Sequence, residues 1–172
     1  DTKKERTIDP KITAAFRSRV GSALYSARAV RIDIGYVVGM LCRCLTFADE
    51  RALRAADDCL AYMAANDDLA LVYDGSQGLH IDAYTDADWS VGPSTTGYVI
   101  FLCGAPVAWR SIKQKSTSMS SCESELIAAN AAGSECVHVK NLVSDVTGIP
   151  LSEPILRCRL GCDNQGTIAV AK

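Results

Sequence analysis

The stretch HIDAYTDADWS, residues 80–90, carries the pattern from which the fold of the surrounding chain is deduced. From Ile81 onward apolar residues alternate with polar ones, which is the periodicity of a β-strand with one buried face. The stretch then ends in Asp86 and Asp88, followed by Trp89. Because alternate side chains of a strand share a face, the two acids lie on one face if the strand continues that far. The pattern predicts a strand with carboxylates at its carboxyl end.

The segments around this strand predict a meander followed by a helix, a strand and a helix. LALVYDG ends in a turn signal, TTGYVIFLCG is rich in β-branched and aromatic residues, and APVAWRSIKQ follows after a short turn. The segment SSCESELIAANAAGSECVHVKNLVSDVTGI opens on capping serines and closes at Gly148 and Pro150, which predicts a long helix. PILRCRLGCD reads as a buried strand, and NQGTIAVAK starts another helix. The predicted order is β-β-β-α-β-α.

Residues 9–66 have a different, helical period. Asp9 and Pro10 give a helix start, apolar residues then recur every four positions, and Asp49 is placed to cap a further helix. We expect three helices with short joints. The chain therefore divides into a helical segment, residues 1–68, and an α/β region, residues 69–172.

Length and composition set the limits of the interpretation. The chain has 172 residues, 48% of them hydrophobic and 22% charged, with a formal net charge of −2. This is enough for one domain plus a helical appendage, and the overall charge is not that of a nucleic-acid-binding protein. Basic residues nevertheless cluster between residues 3 and 31 and at Arg110, Lys113 and Lys115. Such local clusters can bind phosphates in a chain of acidic total charge.

The eight cysteines predict neither disulfides nor a structural zinc site. No secretory signal precedes them, and the paired C-x2-C spacing of zinc sites is absent, so we expect reduced, intracellular thiols. No apolar run approaches the roughly 20 residues that span a bilayer, so no membrane partner is expected.

Three acids fall at comparable places in the predicted elements. Asp86 ends the first strand, Glu125 lies early in the long helix, and Asp163 follows the later strand. Strand ends and a neighbouring helix can bring three carboxylates to one edge of a sheet, where they repel each other unless a hard cation such as Mg2+ or Mn2+ neutralises them. Two such ions would support phosphodiester hydrolysis. Helix capping is the competing explanation for acids in these positions.

Five ordered motifs give the chain a specific resemblance. YTDADW, STTGY, WRSIKQ, SSCESEL and CDNQGTI resemble the Y-S-D-A-D-W, S-T-S-G-Y, W-x-S-K-K-Q, S-S-T-E-A-E-Y and C-D-N-Q-S-A-I patterns of the ribonuclease H domain of copia-type LTR retrotransposon Pol polyproteins. Residues 16–45 and 59–75 similarly resemble the connection between reverse transcriptase and ribonuclease H, although RIDI replaces the R-P-D-I of that family. The resemblance covers nearly the whole chain.

The resemblance implies a ribonuclease H-like mixed sheet with helices, carboxy-terminally truncated and preceded by a small helical connection segment. It also implies metal-dependent hydrolysis of RNA paired to DNA. By motif position the catalytic and metal-binding acids are Asp86, Glu125 and Asp163. Asp88 and Glu123 remain alternatives for the first two. The implied cofactor is Mg2+, with Mn2+ as the other candidate and two ions in the site.

The implied partners are an RNA–DNA hybrid and the adjacent reverse transcriptase domain, in the cytoplasm within a virus-like particle. An A-like hybrid is recognised through phosphates and 2′-hydroxyls, for which small hydroxyl and amide side chains are suited. The candidate substrate contacts are Ser120, Ser121, Asn164, Gln165, Lys113, Gln114 and Lys115. For the two serines, helix capping is an equal alternative. Trp89 and Trp109 are candidates for stacking on nucleotides, but core positions are the favoured interpretation.

Two functional classes stay open. In the first, the chain is the connection plus most of a nuclease domain, whose fourth acid would lie beyond Lys172, so that the isolated chain is weak or inactive. In the second, it is a decayed or partial copy with a structural or hybrid-binding role. Polymerase activity is excluded, because YTDAD separates the two acids that a Y-x-D-D turn keeps together.

Overall fold

The structure is a computed structural model that describes residues 9–89 and 92–171. The first basic residues of the amino-terminal cluster lie outside the described residues. The chain divides into two compact units, Asp1–Ala70 and Leu71–Lys172. None of the described helices is both long and apolar enough to cross a membrane. All eight cysteines are free thiols, as the sequence predicts.

The first unit consists of three helices, as predicted. They are α1 (Pro10–Ala29), α2 (Gly35–Cys42) and α3 (Glu50–Ala65). Two of them begin where the sequence places a capping acid: Asp9 accepts a hydrogen bond from the Lys11 amide, and Asp49 accepts one from the Ala52 amide. The apolar faces meet in a core whose buried members include Phe16, Val20, Val38 and Ala56.

The second unit is a four-stranded mixed sheet with two helices. Its elements are β1 (Ile81–Asp88), β2 (Thr95–Leu102), β3 (Ala105–Lys113), α4 (Ser121–Thr147), β4 (Cys158–Gly161) and α5 (Gln165–Ala171). The spatial order is β3-β2-β1-β4. The three strands of the meander are antiparallel, whereas β4 returns parallel to β1. The predicted element order is confirmed.

The alternation in β1 determines which face of the sheet is covered. Ile81, Ala83, Thr85 and Ala87 are buried, and the residues between them are half-buried or exposed. Helix α4 packs on the buried face and forms a core with β1, β2 and β4 that includes Ile81, Ile100, Cys136, Val139 and Leu156. The acids of β1 therefore lie on the uncovered face.

Capping fixes both ends of α4. The Ser120 hydroxyl accepts a hydrogen bond from the Glu123 amide at 3.1 Å, and the Glu123 carboxylate accepts one from the Met119 amide at 2.7 Å. At the other end Gly148 adopts a φ of 73° and closes the helix. Glu123 is thus the first-turn helix acid that the sequence predicts, and the helix ends at the predicted glycine.

One prediction for an individual strand was wrong. PILRCRLGCD is not a buried strand, because Pro154–Leu156 forms a 3-10 turn and only Cys158–Gly161 pairs with β1. Since β4 is the edge of the sheet, its Arg159 is exposed. Residues 69–74 form no strand and lead into the predicted turn, which lies at Gly75–Gln77.

Two glycines of α4 should respond to alanine with opposite signs. Gly133 lies inside the helix with no atom near the position of an added Cβ, so Gly133→Ala should raise the free energy of unfolding by roughly 0.5–1 kcal/mol. Gly148→Ala should lower it by roughly 1–2 kcal/mol, because a side chain is strained at positive φ. Urea denaturation of both variants measures the two changes. Shifts of the same sign would contradict this description of the helix end.

Candidate metal centre

The parallel pairing of β1 and β4 brings two of the predicted acids to one edge of the sheet. The paired residues run from Ile81 opposite Cys158 to Tyr84 opposite Gly161. Asp86 and Asp163 each lie two positions beyond that last pair, so they stand at the same level. Both are exposed. Because the carboxyl ends of parallel strands meet at one edge of a sheet, the strand pairing brings these two residues to the same edge.

Glu125, on α4, is the third acid near this edge of the sheet. It lies in the second turn of α4 and is only 6% exposed. Burial raises the pKa of the Glu125 carboxyl, and the neighbouring carboxyls of Asp86 and Asp163 raise it further, while a backbone hydrogen bond from Ala87 opposes the shift. The structure therefore brings all three predicted acids into one electrostatically coupled cluster.

Cys162 belongs to the same cluster, and the sequence interpretation missed it. Its Sγ lies 3.9 Å from Oε2 of Glu125. One ligand atom from each of Glu125, Cys162 and Asp163 lies within 4.8 Å of the other two. Asp86 neighbours Glu125 without joining that triad. The signal in the sequence was the position of Cys162 directly before Asp163 in the CDN motif.

The charge balance of the cluster tests whether it suits a cation. Among the described ion pairs, none joins a lysine or arginine to Asp86, Glu125 or Asp163. Asp82, four residues before Asp86 on the same face of β1, differs in this respect, because Arg159 donates to its carboxylate at 2.6 and 3.0 Å. Three carboxylates with no cationic side chain of their own are a suitable donor set for a hard divalent ion.

The smaller polar residues around the cluster form helix caps. Ser120 caps α4, and Ser121 is the first residue of that helix. Oδ1 of Asn164 accepts a hydrogen bond from the Thr167 amide at 2.9 Å and thereby caps α5, whose first residue, Gln165, is exposed. Lys113 and Lys115, at the end of β3, are also exposed. These roles leave the predicted substrate contacts untested.

Two residues differ from their predicted roles. Gln114 is not available to a duplex, because it is only 7% exposed and its amide is bonded inside the protein. Trp89 is not a core residue, because 53% of it is exposed and its indole N–H donates to the Ser118 carbonyl. The other tryptophan, Trp109, is half-buried in β3.

The first acid remains a choice between two positions on one strand. Asp88 is exposed on the same face of β1 as Asp86. The carboxyls that raise the pKa of Glu125 are, however, those of Asp86 and Asp163. The geometry therefore favours Asp86 as the member of the cluster.

Known proteins contain a segment whose sequence is similar to that of this chain. The chain is 33% identical over 155 residues to the retrovirus-related Pol polyprotein from transposon RE1 of Arabidopsis thaliana, covering 88% of this chain and 10% of that protein. It is 30% identical over 161 residues to the corresponding polyprotein from transposon TNT 1-94 of Nicotiana tabacum, covering 91% and 12%. The chain belongs to the copia-type retrotransposon Pol family.

The chain matches only part of each Pol polyprotein, and it also resembles a shorter protein. This Pol chain spans about a tenth of the length of the two polyproteins. It is also 30% identical over 126 residues to the secreted RxLR effector protein 161 of Plasmopara viticola, covering 71% of this chain and 89% of that protein. No family model and no solved structure matches the chain.

The raised pKa of Glu125 predicts a pH-dependent cost to the stability of this Pol chain. Because the folded pKa lies above the unfolded value, folding is penalised when the carboxyl is ionised, and stability falls as pH rises through the folded pKa. In metal-free buffer, Glu125→Gln should therefore be more stable than the wild type at about pH 8, and the difference should shrink toward about pH 4. Urea denaturation at both pH values measures this; a difference independent of pH would refute the assignment.

Proposed function

We propose that this Pol chain provides the acidic site of a metal-dependent ribonuclease H, which hydrolyses the RNA strand of RNA–DNA hybrids during reverse transcription. The observation that carries the proposal is the convergence of Asp86, Glu125 and Asp163, to which no ion pair among the described residues joins a lysine or arginine. The topology is consistent with a ribonuclease H-like fold: an antiparallel meander, a helix, and a strand returning parallel to the first.

The three acids would hold Mg2+, or Mn2+, as a pair of ions. Such ions, when bound, supply an activated water and stabilise the leaving oxygen of a phosphodiester. Glu125 is held by α4 and by the Ala87 amide, so its carboxylate is oriented in advance. Asp86 and Asp163 are exposed, so ions held by them would remain accessible to a phosphate of the substrate.

Substrate contacts would come from side chains beside the acids. Ser120, Ser121, Asn164 and Gln165 offer hydroxyl and amide groups at the starts of α4 and α5, which suits recognition of phosphates and 2′-hydroxyls. The exposed Lys113 and Lys115 would add a salt-dependent attraction to the backbone of the duplex. We further propose that the chain works beside the reverse transcriptase domain of its polyprotein, in a cytoplasmic virus-like particle.

Cleavage of a labelled RNA–DNA hybrid in Mg2+ tests the function. The 172-residue chain is compared with a version joined to any residues that follow Lys172 in its reading frame, each with and without Asp163→Asn. We expect the substitution to reduce cleavage by at least about a hundredfold, because it removes a charged ligand from the site. Asp82→Asn is the matched control, since Asp82 is an acid on the same sheet with its own arginine.

Three results of that assay decide between the classes of function. Metal-dependent cleavage that Asp163→Asn removes and Asp82→Asn retains supports the nuclease. Equal cleavage by wild type and Asp163→Asn, or none in any metal, contradicts it. Hybrid binding without cleavage supports the alternative, an inactive copy with a structural or hybrid-binding role.

Asp86→Asn and Asp88→Asn, assayed side by side, identify the first acid, and we expect only Asp86→Asn to abolish cleavage.

The thiol of Cys162 predicts a particular sensitivity to soft metals. Sulfur ligands favour softer cations than carboxylates do, so Cd2+ should bind at Glu125, Cys162 and Asp163 and inhibit cleavage in the presence of Mg2+. Cys162→Ser should raise the Cd2+ concentration needed for inhibition by about tenfold or more. Cys103→Ser, in the turn between β2 and β3, is the control. Identical inhibition of both variants would show that Cys162 is not a ligand.

A further inference from the structure

Gln114 occupies the centre of a buried polar network next to the acid cluster. It follows β3 and is only 7% exposed. Its side-chain Nε2 donates to Oγ1 of Thr96 at 3.1 Å and to the carbonyl of Ser124 at 2.9 Å, while its Oε1 accepts from Oγ of Ser118 at 3.1 Å. Its backbone N–H donates to the Ser94 carbonyl at 2.7 Å.

The network connects the elements that carry the acids. Ser124 is fully buried in the first turn of α4 and immediately precedes Glu125. Ser118 also accepts, through its carbonyl, the indole N–H of Trp89, which follows β1. A single amide, that of Gln114, thus ties together the start of β2, the loop before α4, the first turn of α4 and, through Ser118, the end of β1.

The chemistry of the network requires an amide at this position. The side-chain nitrogen of Gln114 faces two acceptors, a hydroxyl oxygen and a carbonyl oxygen, while its oxygen faces a donor hydroxyl. A carboxylate at residue 114 would place an acceptor against the Ser124 carbonyl, and an apolar side chain would leave the buried hydroxyls with fewer partners. In a low-dielectric interior a satisfied network of this kind specifies one arrangement, and an unsatisfied one is costly.

We propose that Gln114 is a positioning residue for the acid site. By holding the Ser124 carbonyl, it fixes the first turn of α4 at the height and rotation that direct Glu125 toward Asp86 and Asp163. Gln114 itself contacts neither the metal ions nor the substrate. This inference rests on the proposed function, because it concerns how the metal-binding acids are held.

The experiment compares three variants of the full chain with a matched control. Gln114→Glu replaces the donating Nε2 with an accepting oxygen, and Gln114→Leu removes both polar atoms of the side chain. Ser118→Ala is a milder change, because it removes only one hydrogen-bond partner of the Gln114 amide. Tyr98→Phe is the control, because the Tyr98 hydroxyl also joins β2 to α4, by a 3.4 Å hydrogen bond to Glu135. Glu135 lies ten residues after Glu125 on α4, about 15 Å along the helix axis.

Mn2+ affinity is measured by electron paramagnetic resonance well below the melting temperature of each variant, and amide hydrogen exchange is measured over residues 121–126. We expect both Gln114 variants to bind Mn2+ about 10–100-fold more weakly and to exchange faster in this turn, as changes behind metal ligands do. Ser118→Ala should also weaken Mn2+ binding and speed amide exchange, but by less than the Gln114 variants. Tyr98→Phe should lose thermal stability without either effect.

The outcomes separate this inference from the proposed function. Wild-type affinity and protection in folded Gln114 and Ser118 variants would overturn the positioning role while leaving the metal site intact. A purely stabilising residue would lower the melting temperature and change neither readout, as in the control. If the wild-type chain itself binds no Mn2+, the proposed function fails and the positioning role fails with it. If the Gln114 variants do not fold, Ser118→Ala decides the question by the same two measurements.

Discussion

The parallel pairing of β1 with β4 is the constraint on which the candidate site depends. It involves four residues of each strand, and it sets Asp86 level with Asp163. The 27-residue helix α4 packs on the buried face of the sheet and connects β3 at one edge to β4 at the other, where β4 pairs parallel to β1. Because Asp163 follows β4 by two residues, a slip in this pairing would move Asp163 along the edge of the sheet relative to Asp86. The position of the acid cluster and the packing of the core therefore depend on the same contacts.

The cluster concentrates like charge at a place where none of the described ion pairs supplies a counter-charge. Glu125 is buried, which raises its pKa, and two more carboxyls act in the same direction. On the same face of the sheet, Asp82 forms an ion pair with Arg159. The acids at the strand ends differ from Asp82 in having no such arginine among the described ion pairs. A divalent ion that binds the folded state would relieve this repulsion and add to stability by linkage. Protonation and folding are thus coupled at the acid cluster, and metal binding there would be coupled to both.

Local signals in the sequence were sufficient for most of the fold. Alternation and capping residues such as Ser120 depend on neighbours only a few positions away, so the strands of the meander and the long helix were predictable. The edge position of Cys158–Gly161 was not, because it depends on pairing with a distant strand. Gln114 lies between two lysines and reads as part of a basic surface, but its partners come from three separate segments. Cys162 comes close to Glu125 only through the packing of α4 against β4.

The most direct test of the central claim is to locate a bound Mn2+ ion by paramagnetic broadening in the NMR spectrum of the isotopically labelled chain. If Asp86, Glu125 and Asp163 hold one metal centre, substoichiometric Mn2+ should broaden the amide signals around all three residues together, and these three segments should respond before any other. Broadening centred on another group of acids, such as Asp57 and Asp58 on α3, or on only one of the three segments, would contradict it.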